Sequence, residues 1–316
     1  MGVKKDFNVK YDSVDYNVYA FLNNHPGGIN YVKPYKDKEI SKRMKETHHS
    51  AAAYYLMQEY RKGGRNNLPE NENLEKLVDW NKPMLSQVTG LGEKYKQWVI
   101  SPVDRELRLF ESNILEWLTI TPWYVVPIVW IPIIIYLGHY GINVYQSHTN
   151  DYALLMPAIL VTLGIIAWTL VEYSLHRWVF HMEPSGKHKA TIFFHFAIHG
   201  LHHKVPFDSR RLVFPPFPAA VLAFLIYKLF SIVVPESSII LVMSGGLTGY
   251  VIYDMIHFYL HYGAPSEMSY FYQLKRYHNQ HHFAHHDSGF GISSMFWDKV
   301  FGTAIKLRNL ALGIKW

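Results

Sequence analysis

Four apolar runs limit what this chain can become. They are TPWYVVPIVWIPIIIYLG from Thr121, YALLMPAILVTLGIIAWTLV from Tyr152, LVFPPFPAAVLAFLIYKLFSIVV from Leu212 and IILVMSGGLTGYVIYDMIHFYL from Ile239. Each holds 18–23 residues, the helical length that crosses roughly 30 Å of hydrocarbon. The runs are apolar all round and rich in Pro, Gly, Trp and Tyr, unlike the one-sided helices of a soluble core. Lys228 is the one basic charge in these runs, and it must snorkel or face protein. An all-α integral membrane protein with four transmembrane helices is therefore expected.

Charge orients the spans. The connections HYGINVYQSHTND and PESS carry no Lys or Arg. The segment from Ser174 to Arg211 carries Arg177, Lys187, Lys189, Lys204, Arg210 and Arg211, and the tail adds Lys275, Arg276, Lys299, Lys306, Arg308 and Lys315. The positive-inside rule places the middle loop and both termini in the cytoplasm. The formal charge of +6 is not gathered into an arm or stripe, so no nucleic-acid partner is expected. The opening MGVKKDFNVKYDS is polar and predicts neither a cleavable signal nor a lipid anchor.

Most of the 19 histidines sit in four groups at the cytoplasmic ends of these runs: SLHRWVFH, HFAIHGLHH, HFYLH and HNQHH. Residues three or four apart share a helical face, so His199, His202 and His203 are expected to point toward one centre. The same holds for His257 with His261, and for His278 with His281 and His282. His176 and His181 are five apart, a looser step that a kink or helix end would close. With no cysteine in the chain, a metal must be held by nitrogen or oxygen, and neutral imidazole suits iron, zinc, copper or nickel. So many histidines exceed the ligand set of one ion, which implies two metals. Glu172 and Asp254, near span ends, are expected to accept the second ring N–H of a ligating histidine.

HRWVFH, HGLHH, HFYLH and HNQHH, followed by GFGISSMFWDKVFGT, resemble the fatty acid hydroxylase superfamily of membrane di-metal oxygenases. The resemblance extends from about Ser101 onward, and the five-residue step in EYSLHRWVFH is closer to fatty acid 2-hydroxylases than to sterol oxidases. It implies metal ligation by His176, His181, His199, His202, His203, His257, His261, His278, His281 and His282. His195 falls outside the pattern, beside the ligands or facing substrate, and His285 and His286 are expected at the surface or in a lid. The implied activity is 2-hydroxylation of long or very long fatty acyl chains destined for sphingolipids or ceramides. Iron is the expected metal, because zinc can fill such a site but has no redox chemistry. The implied location is the endoplasmic reticulum membrane, and LALGIKW at the C-terminus offers no retrieval signal.

The front of the chain reads as a separate unit. VYAFLNNHPGG resembles the haem-binding stretch of cytochrome b5-type domains, and HHSAAAYYLMQEY the helix after their second ligand. His25 and His49, 24 positions apart, are the implied axial ligands of haem b, with His48 the substitute. A haem held by two histidines has no open position and carries electrons, here from an NAD(P)H-dependent cytochrome reductase. The expected division is a shortened α+β cytochrome b5-like domain over 1–62, a linker and membrane-surface segment over 63–118, and the hydroxylase domain with its cytosolic histidine-rich cap over 119–316. Competing readings are a sterol-modifying oxygenase of the same superfamily and a non-catalytic membrane metal-binding or transport protein. Transport predicts polar groups along the spans, and these runs are largely bare.

Overall fold

The structure is a computed structural model describing residues 6–65, 68–69, 73–267 and 269–307. Arg308, Lys315 and the LALGIKW segment lie outside the described residues, as do five positions of the polar stretch after Arg61. The chain begins with an antiparallel hairpin, β1 (Asn8–Tyr11) and β2 (Val14–Asn17), in register Asn8 opposite Asn17. Its turn residues Asp12 and Ser13 both adopt positive φ, the geometry of a tight two-residue connection. Short helices α1 (Ser41–Glu46) and α2 (Ala51–Met57) follow, the second capped by Ser50, whose hydroxyl accepts from Ala53 N. Phe7, Val9, Tyr16, Val18, Leu22, Met44 and Met57 form a small core of their own.

Next come α3 (Met84–Val88), α4 (Lys94–Val99) and α5 (Asn113–Thr119). The region from Val78 to Leu109 packs with Ile192, Phe196, Leu201 and Val205 around buried Trp98 and Tyr95. In contrast, α5 leaves Ile114 and Trp117 exposed by 73% and 72%. That is an unpaid apolar face unless lipid covers it.

Three helices are long and apolar enough to cross a membrane: α6 (Val125–Thr149), α7 (Leu155–Ser174) with its continuation to Phe180, and α11 (Glu236–Tyr262). The first outlasts its apolar run and continues through most of HYGINVYQSHTND. The run from Leu212 differs from the expected span. After α8 (Lys189–His195) and α9 (Leu201–Lys204), only Pro216–Phe230 of that run forms a helix, α10, of 15 residues. At 1.5 Å per residue this is about 22 Å, short of the roughly 30 Å of a full crossing. Two features shorten it. Pro215 is extended and Pro216 starts the helix, while Leu212 and Val213 are drawn into the interior.

Glycines set how closely α7 and α11 approach. A Cβ on Gly245 would lie 2.0 Å from Val161 O, and one on Gly164 would lie 2.1 Å from Val242 O. Backbones touch there, as small residues permit in lipid. Both helices run toward the same end of the bundle, where α12 (Tyr270–Phe283) and α13 (Phe296–Val300) complete the cap.

Candidate metal centre

The ten histidines converge as two sets of five. In one, the nearest ring nitrogens of His202, His257, His261, His278 and His282 all lie within 4.8 Å of one another. Nε2 separations are 3.1 Å for His202–His257, 2.8 Å for His261–His278 and 3.1 Å for His278–His282. In the other, His176, His181, His199 and His281 meet within the same limit. His203 joins them, its Nε2 3.1 Å from that of His199 and 3.2 Å from that of His181. The rings of His203 and His282 stack at 4.4 Å, so the two sets abut.

This partition corrects the expected grouping. His199 and His203 point to one set and His202 to the other; likewise His278 and His282 part from His281. On a helix, i and i+4 are 40° apart, whereas neighbours diverge by about 100°. Each HH pair therefore sends one ring to each centre. The five-residue step between His176 and His181 is closed by a π-helical turn over Leu175–Phe180, with His181 N donating to His176 O at 3.0 Å. A second π-turn, Phe196–Gly200, precedes α9. Such turns recur at functional sites because they re-aim side chains.

The donor set fits metal ions. His176 Nδ1 lies 2.6 Å from Phe290 O and His281 Nδ1 lies 2.8 Å from Ser288 O. A carbonyl only accepts, so each neutral ring carries its proton on Nδ1 and turns the Nε2 lone pair inward. Inward lone pairs near 3 Å apart repel unless a cation lies between them. Ligands about 2.1 Å from a metal at right angles would be about 3 Å apart, matching the separations above. Burial, reinforced by the neighbouring imidazoles, holds His181, His199, His202, His203, His278 and His282 well below the ordinary histidine range, in the neutral ligating form. Burial does the same for His281.

The two carboxylates serve a different purpose from the expected one. Glu172 Oε1 accepts from Ile292 N (3.0 Å) and Ser293 N (2.8 Å), and Oε2 from the Ser293 hydroxyl at 2.5 Å. Asp254 accepts from Phe214 N, at 3.2 and 3.1 Å. Neither reaches a histidine; backbone carbonyls take the ring protons of His176 and His281. Asp298 was not singled out in the sequence, yet it is fully buried and accepts from Phe290 N (2.9 Å), Gly291 N (2.8 Å) and Thr303 Oγ1 (2.7 Å). Together Glu172 and Asp298 clamp the loop whose carbonyls orient the ligands. The carboxylates thus act one layer further out than predicted, and only their placement among apolar residues hinted at burial.

His195 lies outside both sets, its Nδ1 2.7 Å from the Tyr95 hydroxyl, and burial pushes it down to about 4. His285 is exposed, while half-buried His286 stands 5.7 Å from the His203 ring. Lys204, missed in the sequence reading, is buried beside His203. Its Nζ donates to Glu75 Oε1 (2.7 Å), Trp98 O (3.1 Å) and Ser101 O (2.6 Å). The Tyr55 hydroxyl reaches the same Glu75 oxygen at 2.6 Å, tying the front unit to the cap.

In that front unit the rings of His25 and His49 face each other, 6.3 Å between centres. Two metal–imidazole bonds of about 2 Å, extended to the ring centres, span about 6.3 Å. His49 Nδ1 lies 3.1 Å from Met44 O and 2.8 Å from Thr47 Oγ1, leaving its Nε2 free. Burial, then the neighbouring His49, pushes His25 down to about 4. His48 is exposed and in a left-handed conformation.

An apolar cleft of about 500 Å³ opens among α7, α10 and α11, lined by Trp168, Phe180, Phe214, Ala219, Leu247 and Tyr253. Phe180 stacks on the His199 ring at 5.3 Å, so the cleft ends against a histidine set.

The sequence profile of the family described as fatty acid hydroxylase matches residues 161–303. The chain is 40% identical to a fatty acid 2-hydroxylase of Macaca fascicularis, over 92% of this chain and 89% of the relative. It is 41% identical to a dihydroceramide fatty acyl 2-hydroxylase of Arabidopsis thaliana, over 72% and 92%. The solved structure described as full-length scs7p, with only its hydroxylase domain visible, superposes with a TM-score of 0.67 at 32% identity, covering 81% of this chain and 93% of that one.

Proposed function

The chain belongs to the fatty acid hydroxylase family of membrane enzymes, and from that premise we propose that it 2-hydroxylates long and very long acyl chains of sphingolipids, using dioxygen at a di-iron site. The observation that carries this reading is the convergence of ten histidines into two abutting five-nitrogen sets at the end of an apolar cleft. Bound iron would supply the oxidising power for an unactivated C–H bond, which zinc lacks. The chain's residues perform the remaining tasks. His176, His181, His199, His203 and His281 would hold one ion; His202, His257, His261, His278 and His282 would hold the other. The cleft admits an acyl chain from the side, within the bilayer, and its apolar walls exclude water while the head group stays at the interface.

Under the same reading, His25 and His49 would hold haem b, which would carry electrons supplied by an NAD(P)H-dependent reductase. The protein resides in the endoplasmic reticulum with its cap on the cytoplasmic face. A glycosylation acceptor inserted at Asn150–Asp151 should be modified and one at Lys187 should not; the reverse would overturn this orientation. The decisive test of function is mass spectrometry of lipids from cells that express the chain but lack other 2-hydroxylases. Sphingolipid acyl chains hydroxylated at carbon 2 are expected, and this product should vanish in His281→Ala. Hydroxylated sterol without 2-hydroxy acyl product would favour the sterol-oxygenase alternative.

A further inference from the structure

The front pair and the cap are joined by an unbroken run of aromatic rings. Phe21 stands edge-on to His25, 5.9 Å between ring centres, and edge-on to Phe207 at 5.8 Å. Phe207 stacks on Phe283 at 6.3 Å with 23° between planes, and Phe283 lies 6.1 Å from the His282 ring. Every step falls within ordinary aromatic contact. The three phenylalanines come from distant parts of the chain: a turn of the front unit, the loop after α9, and the last residue of α12. The middle ring is held in place from the metal side, because the Tyr262 hydroxyl donates to Phe207 O one residue beyond His261. None of the three side chains has a polar atom to offer either site, so ligand binding does not explain their alignment.

We propose that Phe21, Phe207 and Phe283 form the route by which electrons pass from haem at His25 to the metal pair, entering at His282. This rests on the haem reading above. Electron tunnelling decays steeply across unfilled gaps and less steeply through packed, polarisable rings; this run leaves no gap between the histidine at one end and the histidine at the other. In each passage ferrous haem loses one electron and the metal pair gains it, and the flavin-type NAD(P)H reductase restores the haem. Two passages with two protons balance one dioxygen, giving one hydroxyl group on the acyl chain and one water.

The test uses the full-length protein loaded with haem and iron in vesicles containing ceramide. Phe207→Leu keeps most of the apolar contact and removes the ring. After reduction of the haem and mixing with oxygen, the substrate-dependent rate of haem reoxidation, followed by absorbance, should fall at least about tenfold and be retained in Phe207→Tyr. The low-spin haem spectrum, iron content and single-turnover product after direct chemical reduction of the iron should stay unchanged. Wild-type reoxidation in Phe207→Leu, with haem bound, would overturn the route and leave the haem reading intact. A loss in Phe207→Ala but not in Phe207→Leu would make the contact a docking surface, which also overturns it. A wild-type chain that binds iron but shows no haem spectrum would remove the haem reading and the route together.

Discussion

His25 and His49 face each other from turns and short helices around a small core, whereas four of the cap histidines, His176, His181, His257 and His261, are anchored at the ends of helices 26 and 27 residues long and the other six come from shorter helices packed on those ends. For His176 and His281 in the cap, ring orientation is enforced twice. Carbonyls of Phe290 and Ser288 take the Nδ1 protons of His176 and His281, and Glu172 and Asp298 hold the loop that presents them. The front pair has one layer of support: at His49, the carbonyl of buried Met44 in α1 and the hydroxyl of exposed Thr47 just after it. A site that must keep two ions in fixed relation needs rigid donors, since small displacements of a reacting group cost large factors in rate. Under the proposed function, a haem held by His25 and His49 would only pass electrons and would tolerate a looser frame. The difference therefore predicts unequal responses to mutation.

The largest effect belongs to the cap ligands. His202→Ala or His281→Ala should abolish hydroxylation and lower metal content from about two ions per chain, measured by elemental analysis. Active wild-type protein without stoichiometric metal would collapse the comparison. His49→Ala comes next: it should remove a six-coordinate low-spin haem spectrum and suppress steady-state turnover while leaving non-haem metal in place. Coupled loss of both would show that the two regions are not independently built.

A smaller effect, and a sharper one, concerns the outer layer. Asp298→Ala releases Phe290 N and Gly291 N, and through that loop the carbonyl that orients His176. Metal affinity or turnover should fall about 10- to 100-fold, as for other residues behind ligating histidines. An unchanged metal titration would show that the loop holds its shape without the carboxylate. The smallest change is expected for Thr47→Val, which removes one of the two contacts on His49 Nδ1, worth about 1 kcal/mol net, together with the hydroxyl's own bonds to Arg43 O and Met44 O, and leaves Met44 O on the His49 ring. Haem affinity should weaken by less than about tenfold with no change in metal content, read from haem titration.

How far the sequence alone reached can be judged from particular residues. The apolar runs made a membrane protein legible, and the histidine spacing marked ten residues that do converge. Pairs four apart, such as His199 with His203 and His278 with His282, behaved as helical periodicity requires. The i+3 partners did not, because two centres divide the ring of residues that one centre would share. The shortened α10 was also hidden. Hydropathy counts apolar residues without showing that Pro215 delays the helix and that Val213 is spent on packing.

Glu172 and Asp254 show the remaining gap most clearly. That a carboxylate near a span end must be satisfied follows from the cost of burying charge, and both accept hydrogen bonds, Glu172 from three donors and Asp254 from one amide shared by its two oxygens. Their partners, the amides of Ile292 and Ser293 for one and of Phe214 for the other, lie 120, 121 and 40 residues away. Local composition and helical period determined which residues are apolar, which can ligate a metal and which share a helix face, because these depend on neighbours within a turn or two. The tertiary structure alone decided which ring serves which centre, which carbonyl takes each proton and which aromatic rings meet between the front unit and the cap. Those outcomes depend on contacts between segments far apart in the chain, whose positions are set by packing the whole fold.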